Sequence, residues 1–245
     1  IQVFRRHYAA CVMLGVISSV PVWILLFSSG LVGVMGAMQT HTPLPAHFTQ
    51  PNFLLLFLFG LGAYAWAYVT NGAIIVAASD AYLHDTVEPL QALRTSLGHA
   101  PAMLLAGLLF IIPMALGAIV FVVGMFYVMT RYFAVIPAIL LEDKGPVNAF
   151  HRSRDLSQGF RWRIFATAAL AWVICLIVLY TLQTVAGLLP ITPVGIALVN
   201  AVVGLLVTPL VWIVITVLYY DQRIRKDTFD LEMMAQQLTP APAAS

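Results

Sequence analysis

Charge is the scarcest property of this sequence. Asp, Glu, Lys and Arg make up 9% of its 245 residues, where soluble globular domains carry about 25%. Hydrophobic residues make up 61%, more than a soluble fold of this length can keep out of water, so the medium for most of the chain is lipid. Cysteine is nearly missing. Cys11 and Cys175 both fall inside apolar runs, without a CxxC neighbour or metal-ligand spacing, and read as small packing residues. There is no Lys/Arg stripe with interleaved aromatics, and the net charge is only +2, which excludes nucleic acid as a partner. No GxSxG, no HExxH and no pair of intramembrane aspartates occurs, so no catalytic residue, enzyme activity or cofactor is expected.

What the sequence does have is long apolar runs. Four spans are plain: residues 8–38, 53–79, 164–189 and 194–220. The first is too long for the hydrophobic core of a signal peptide and reads as an uncleaved span. Residues 100–141 hold one charge, Arg131. As a single helix they would be about 60 Å long, twice the hydrocarbon thickness. Loop charge resolves the ambiguity. If this stretch crosses twice, eleven of the twelve Lys and Arg residues fall on one side, and the outer connections hold none. The positive-inside rule then gives six spans with both termini cytoplasmic. The third and fourth spans, near 101–116 and 119–141, are short or re-entrant, with Pro113, Gly117 and Gly124 providing the turn. Pro21 and Pro209 are expected to kink the first and last spans, with Thr208 satisfying the carbonyl that Pro209 frees. The fold class is an all-α polytopic bundle. Residues 1–220 form the membrane domain, 221–238 a cytoplasmic amphipathic helix, and 239–245 a disordered tail.

Three inner segments carry the polar residues. In the first, Gly145–Pro146 starts and Gly159 stops a short interfacial helix near 146–158. Phe150 and Leu156 would turn to the lipid tails and the arginines to the headgroups. Arg152, Arg154, Arg161 and Arg163 surround Trp162, an interfacial anchor. These arginines either hold the loop inside, each meeting anionic lipid for about 1 kcal/mol, or form a surface for a lipid phosphate or a partner's acidic face. In the second segment, Asp221/Arg225, Arg223/Asp227 and Lys226/Asp230 are i,i+4 pairs that support a helix. In the third, Asp80, His84 and Asp85 lack the ligand number of a metal site, as do His41 and His47; Asp80 is expected to pair with an arginine. Glu142, Asp221 and Arg225 are likewise expected to be structural ion-pair partners. Arg131 either faces the bundle and finds a partner among Asp80, Glu142, Asp143, Asn71, Asn200 or a lipid phosphate, or it snorkels.

Several of these segments share a pattern. Residues 131–146 read Arg-Tyr-Phe-Ala-Val-Ile-Pro-Ala-Ile-Leu-Leu-Glu-Asp-Lys-Gly-Pro. Arg152–Ser153 and Arg161–Trp162–Arg163 follow, and the chain ends with Tyr219–Tyr220–Asp221 and Arg223 to Lys226, then Phe229 to Glu232. This pattern resembles the bacterial glycerophosphodiester phosphodiesterase membrane-domain family and its YciC-like relatives, with Gln222 and Thr228 as departures. The resemblance implies a polytopic helical bundle. The family takes its name from members fused to a soluble phosphodiesterase domain, and nothing in these 245 residues matches that domain's metal-binding carboxylates and histidines. The expectation is therefore a non-catalytic accessory or scaffold protein that binds anionic lipid or another membrane protein. The alternative is a small lipid or solute transporter, for which Arg131 and the interrupted third and fourth spans speak.

Overall fold

In lipid, the backbone must satisfy its own hydrogen bonds, and a chain this apolar does so by coiling into helices. The computed structural model describes residues 2–28, 53–119, 121–188 and 193–238, and among them it is all-helical, with no strand. The helices are α1 (Gln2–Ser28), α2 (Phe53–His84), α3 (Pro89–Gly98), α4 (Ala100–Ile119), α5 (Phe121–Arg131), α6 (Val135–Glu142), α7 (Pro146–Ser157), α8 (Arg161–Leu188) and α9 (Pro193–Leu238). Among the described residues, five stretches are long and apolar enough to cross a membrane: Leu56–His84, Ala100–Ile119, Val123–Glu142, Arg161–Val185 and Val202–Asp227. A shorter apolar stretch, Tyr8–Pro21, lies in α1. The rest of the expected first span, the loop with His41 and His47, and the tail 239–245 lie outside the described residues.

α2 is the axis of the fold. Its residues Ala73, Ile74, Ile75, Ala77 and Ala78 are wholly buried, with α1, α3, α6 and α9 packed around them. Small side chains let neighbouring backbones come close, which is how helices hold together where water exerts no hydrophobic drive. Ser96 of α3 reaches the backbone of α2 and donates to the Val69 carbonyl at 2.5 Å.

The stretch expected as the third and fourth spans is a hairpin followed by a break. α5 folds back along α4, and the two helices meet at Gly117, where an added Cβ would lie 2.8 Å from the Gly124 carbonyl oxygen. α5 cannot run straight into α6. Pro137 has no N–H to bond residue 133, and its ring crowds that carbonyl, so the chain leaves the helix at 132–134 and restarts at Val135. Ser153, from α7, closes the gap. Its hydroxyl accepts from the Ala134 N–H at 3.0 Å and donates to the Arg131 carbonyl at 3.1 Å. Ser153 is wholly buried. Ser153→Ala should therefore leave both backbone groups without a partner and cost about 1–3 kcal/mol. A denaturant titration of the full chain in mixed micelles would read this loss, and an unchanged midpoint would contradict the assignment.

α7 begins as expected: Gly145 is extended (φ −62, ψ 158) and Pro146 takes the first helical position. Gly159, at φ +85, follows the last turn. Its apolar face points elsewhere than expected. Leu156 is wholly buried against protein, in a cluster with Ala134, Tyr219 and Tyr220, and Phe150 packs edge-on to Tyr132 with centroids 5.1 Å apart. The break between α5 and α6 exposes these apolar groups, and α7 fills the space before lipid can. In the tail, α9 runs without interruption from Pro193 to Leu238, so the helix over 221–238 continues directly from the last apolar stretch. Nothing between Tyr220 and Asp221 breaks it, and Arg225–Asp221 (3.0 Å) and Arg223–Asp227 (3.5 Å) brace it at i,i+4 spacing. Asp230, the expected partner of Lys226, has a side chain outside those described. Near Pro209, the Tyr8 hydroxyl of α1 donates to the Leu206 carbonyl, one residue beyond the Leu205 carbonyl that the proline frees, and Thr208 lines a cavity.

Candidate anion-binding rim

The polar residues gather where α5, α6, α7, α8 and α9 meet. Glu142 ends α6 with its side chain 9% exposed, so its charge needs close partners. Arg152 of α7 supplies a two-pronged contact: its Nε lies 3.0 Å from both Oε1 and Oε2. The Tyr219 hydroxyl of α9 donates to Oε1 at 2.6 Å. Arg152 also reaches Asp227 at 3.3 Å, which Arg223 approaches at 3.5 Å. Two carboxylates, two guanidiniums and a phenol thus tie three helices together. Burial alone would depress the Arg152 pKa, but Glu142 and then Asp227 reverse this and hold it above its usual value. A few residues on, the Ser79 and Tyr220 oxygens are 2.6 Å apart, joining α2 to α9.

This network reassigns one expected ligand-facing residue. Arg152 was grouped with the lipid- or partner-facing arginines, yet it turns inward because Glu142 lies opposite it. Arg163 lies 3.5 Å from Asp221 and keeps half of its side chain exposed. Arg154 is exposed. Of the expected structural acids, Glu142 and Asp221 are paired as described, the latter also with Arg225. Asp80 has no arginine within ion-pair distance among the described residues; its charged neighbours are His84 and Glu88. Arg152, Arg163, Arg223 and Arg225 sit on α7, α8 and α9, where nearer carboxylates engage them. Among the described residues, no three His, Cys, Asp or Glu side chains converge as metal ligands would.

Arg131 and Arg161 are arranged differently. Neither has a carboxylate within ion-pair distance among the described residues. Both donate through Nη1 to one acceptor, the Tyr127 hydroxyl, at 3.3 and 3.2 Å. Their guanidiniums also lie over aromatic rings: Arg131 at 5.9 Å from the Tyr127 centroid and 5.5 Å from Tyr132, Arg161 at 5.1 Å from Tyr127. The Nε of each is buried and has no hydrogen-bond partner. Of the partners considered for Arg131, the structure thus provides none of the carboxylates. Sequence spacing could not show that Arg161, thirty residues away, shares its tyrosine. Trp162, next to Arg161, is 83% exposed and stacks edge-on against Phe165.

A separate contact clasps two helix ends. His99 follows α3, and its Nδ1 lies 2.8 Å from the Thr95 carbonyl. Its Nε2 lies 3.1 Å from Oδ1 of Asp143, the left-handed residue that follows α6. Only the imidazolium can donate to both acceptors. The Thr95 carbonyl, with help from Asp143, therefore raises the His99 pKa above its usual value. A raised folded-state value means that this contact stabilises the fold fully below the unfolded value of about 6.5 and is lost as pH rises through the folded one. An NMR titration should find His99 above about 6.5, falling part-way back in Asp143→Asn. Titration at or below that value would contradict the pairing.

No protein-family model matches the chain, and neither a curated protein nor a solved structure is similar to it.

Proposed function

We propose that this is a non-catalytic accessory protein of the bacterial inner membrane, a six-span bundle with both termini cytoplasmic, that holds anionic lipid at its arginine-rich rim and through it associates with another membrane protein. The observation that carries this reading is an excess of positive charge on a rim already held in place. Residues 131–163 and 219–227 contain nine basic and five acidic residues. Glu142, Asp221 and Asp227 are engaged by the rim's own arginines, while Lys144 and Arg154 are exposed and Arg131 and Arg161 have no carboxylate within ion-pair distance among the described residues, the latter beside the exposed Trp162. Anionic headgroups complement such a surface, at about 1 kcal/mol per Lys or Arg. The resemblance to the glycerophosphodiester phosphodiesterase membrane domain and YciC-like proteins agrees with a bundle of this kind. It brings no phosphodiesterase activity with it.

The test is extraction of the full chain with native lipid into nanodiscs, followed by mass spectrometry of everything retained. Enrichment of anionic lipid above its proportion in the membrane, with a membrane protein in fixed ratio, is the expected result. Bulk lipid composition and no companion protein would overturn the reading.

A second reading, transport of a small solute, has one observation in its favour. A cavity of about 240 Å³ lies between α1, α2 and α9, lined by Ser18, Ser19, Asn71 and Thr208 together with Gly15 and Gly204. Pro21 and Pro209 lie within the helices beside it, and a proline inside a helix leaves a backbone carbonyl without its usual donor. Saturable uptake of a small polar solute by proteoliposomes, absent in empty vesicles, would favour this reading over the first.

A further inference from the structure

The contacts of Tyr127 narrow the rim to one site. A phenolic oxygen can accept two hydrogen bonds and donate one. Arg131 and Arg161 fill both acceptor positions of Tyr127, so its O–H proton is left to donate. Each guanidinium has five N–H donors and no acceptor, and in both the buried Nε is without a partner. The cluster is therefore built of donors alone and carries two positive charges with no carboxylate to balance them. The other described arginines differ: the Arg152, Arg163, Arg223 and Arg225 guanidiniums each meet an Asp or Glu, while Arg94 and Arg154 are exposed and are not drawn to a shared acceptor.

Two converging cations need an anion, and its form follows from the donors. A carboxylate offers two oxygens in one plane, which suits a single guanidinium fork. A tetrahedral oxyanion offers oxygens in several directions and can meet two forks and a hydroxyl together. The surroundings fix where it comes from. Val123, one turn before Tyr127, and Trp162, next to Arg161, are 75% and 83% exposed, an apolar surface that acyl chains would cover while the headgroup reached the arginines.

We propose that Arg131, Tyr127 and Arg161 form a clamp for a single phosphate group, the phosphodiester of a membrane lipid or a free phosphate. The proposal rests on the anionic-lipid reading above and gives it one location. Arg154 and Arg163 add to the general attraction, whereas the clamp determines which lipid stays.

The experiment uses the full chain in a phosphate-free maltoside detergent, with binding followed by native mass spectrometry. The probes are phosphatidylglycerol, oleate as an anionic lipid without phosphate, and inorganic phosphate. The expected result is one tightly held phosphatidylglycerol per chain and no equivalent oleate. In Arg131→Gln/Arg161→Gln, phosphatidylglycerol should bind at least tenfold more weakly. Displacement of the lipid by millimolar inorganic phosphate would confirm the clamp as a site for free phosphate, and resistance to displacement would confirm it as a lipid site. Tyr127→Phe keeps the ring under both guanidiniums and should weaken binding with an unchanged unfolding midpoint, so it decides the matter if the double variant does not fold. Equal retention by wild type, the double variant and Tyr127→Phe would overturn the clamp. If the lipid is then lost from Arg154→Gln/Arg163→Gln, the rim reading survives and the clamp alone fails; if it is retained there too, both fail.

Discussion

Glu142→Ala should be among the most damaging single changes in the chain, lowering stability by about 3 kcal/mol. The reason is an asymmetry. Forming a buried ion pair brings little net stability, because desolvation of the two charges offsets their attraction. Removing one member is different, because the other is left desolvated without its counter-charge. Glu142 is the more enclosed member, with Arg152 at 24% side-chain exposure. Without the carboxylate, Arg152 retains only Asp227 at 3.3 Å, and the Tyr219 hydroxyl loses its acceptor inside the protein. Tyr219 is itself wholly buried, so water cannot substitute without opening the packing between α6 and α9.

The same argument gives a sharper test than the single change. Replacing both partners by apolar residues of similar size, Glu142→Leu with Arg152→Met, removes the stranded charge. The double variant should be more stable than Glu142→Leu alone, with a coupling of roughly 1–3 kcal/mol in the full cycle. Denaturant titration in mixed micelles would read all four proteins. Additive losses would mean that the 3.0 Å contacts contribute nothing specific, and that the rim is held by the packing of Leu156, Tyr219 and Tyr220 alone.

Which of these features could be read in the sequence follows from the range of the interaction behind each. Helix composition was legible because a 9% charged chain in lipid has few alternatives. The start of α7 at Gly145–Pro146 and its end before Gly159 were legible because caps depend on neighbours only. The i,i+4 pairs of the tail were legible for the same reason. Sequence failed where partners lie far apart along the chain. Ser153 looked like a polar residue in an arginine cluster, yet it hydrogen-bonds Arg131 and Ala134, about twenty residues earlier. Pro137 was the available clue, since a proline just after an apolar helix frees a carbonyl and disturbs a turn that something must satisfy. Arg152 looked interchangeable with Arg154, and the difference is one of helix face: two residues apart on a helix, they point in widely separated directions, one at Glu142 and the other outward.

Gly117 carries the second large effect, and through it the hairpin connects to the rim. A methyl group at Gly117 would stand 2.8 Å from the Gly124 carbonyl oxygen and 2.9 Å from Cγ2 of Val128. The nearer contact is backbone, so no rotamer change relieves it, and α5 must move away from α4. Overpacking of this kind costs about 1–3 kcal/mol, and Gly117→Leu should lie at or above the upper end. Gly62, within α2, has nothing within 4 Å of the same position, so Gly62→Ala is the matched control and should cost nothing measurable. The consequence reaches beyond stability, because α5 carries both Tyr127 and Arg131, while Arg161 starts α8. Displacing α5 from α4 shifts Tyr127 relative to Arg161 and lengthens a hydrogen bond already at 3.2 Å. Gly117→Ala should therefore weaken phosphatidylglycerol retention although every donor of the clamp is still present, and Gly62→Ala should not. Retention unchanged in Gly117→Ala, alongside a clear loss of stability, would mean that Tyr127 and Arg161 are held together by their own contacts, the Phe126–Phe165 edge packing at 5.4 Å among them, and not by the seating of α5 on α4.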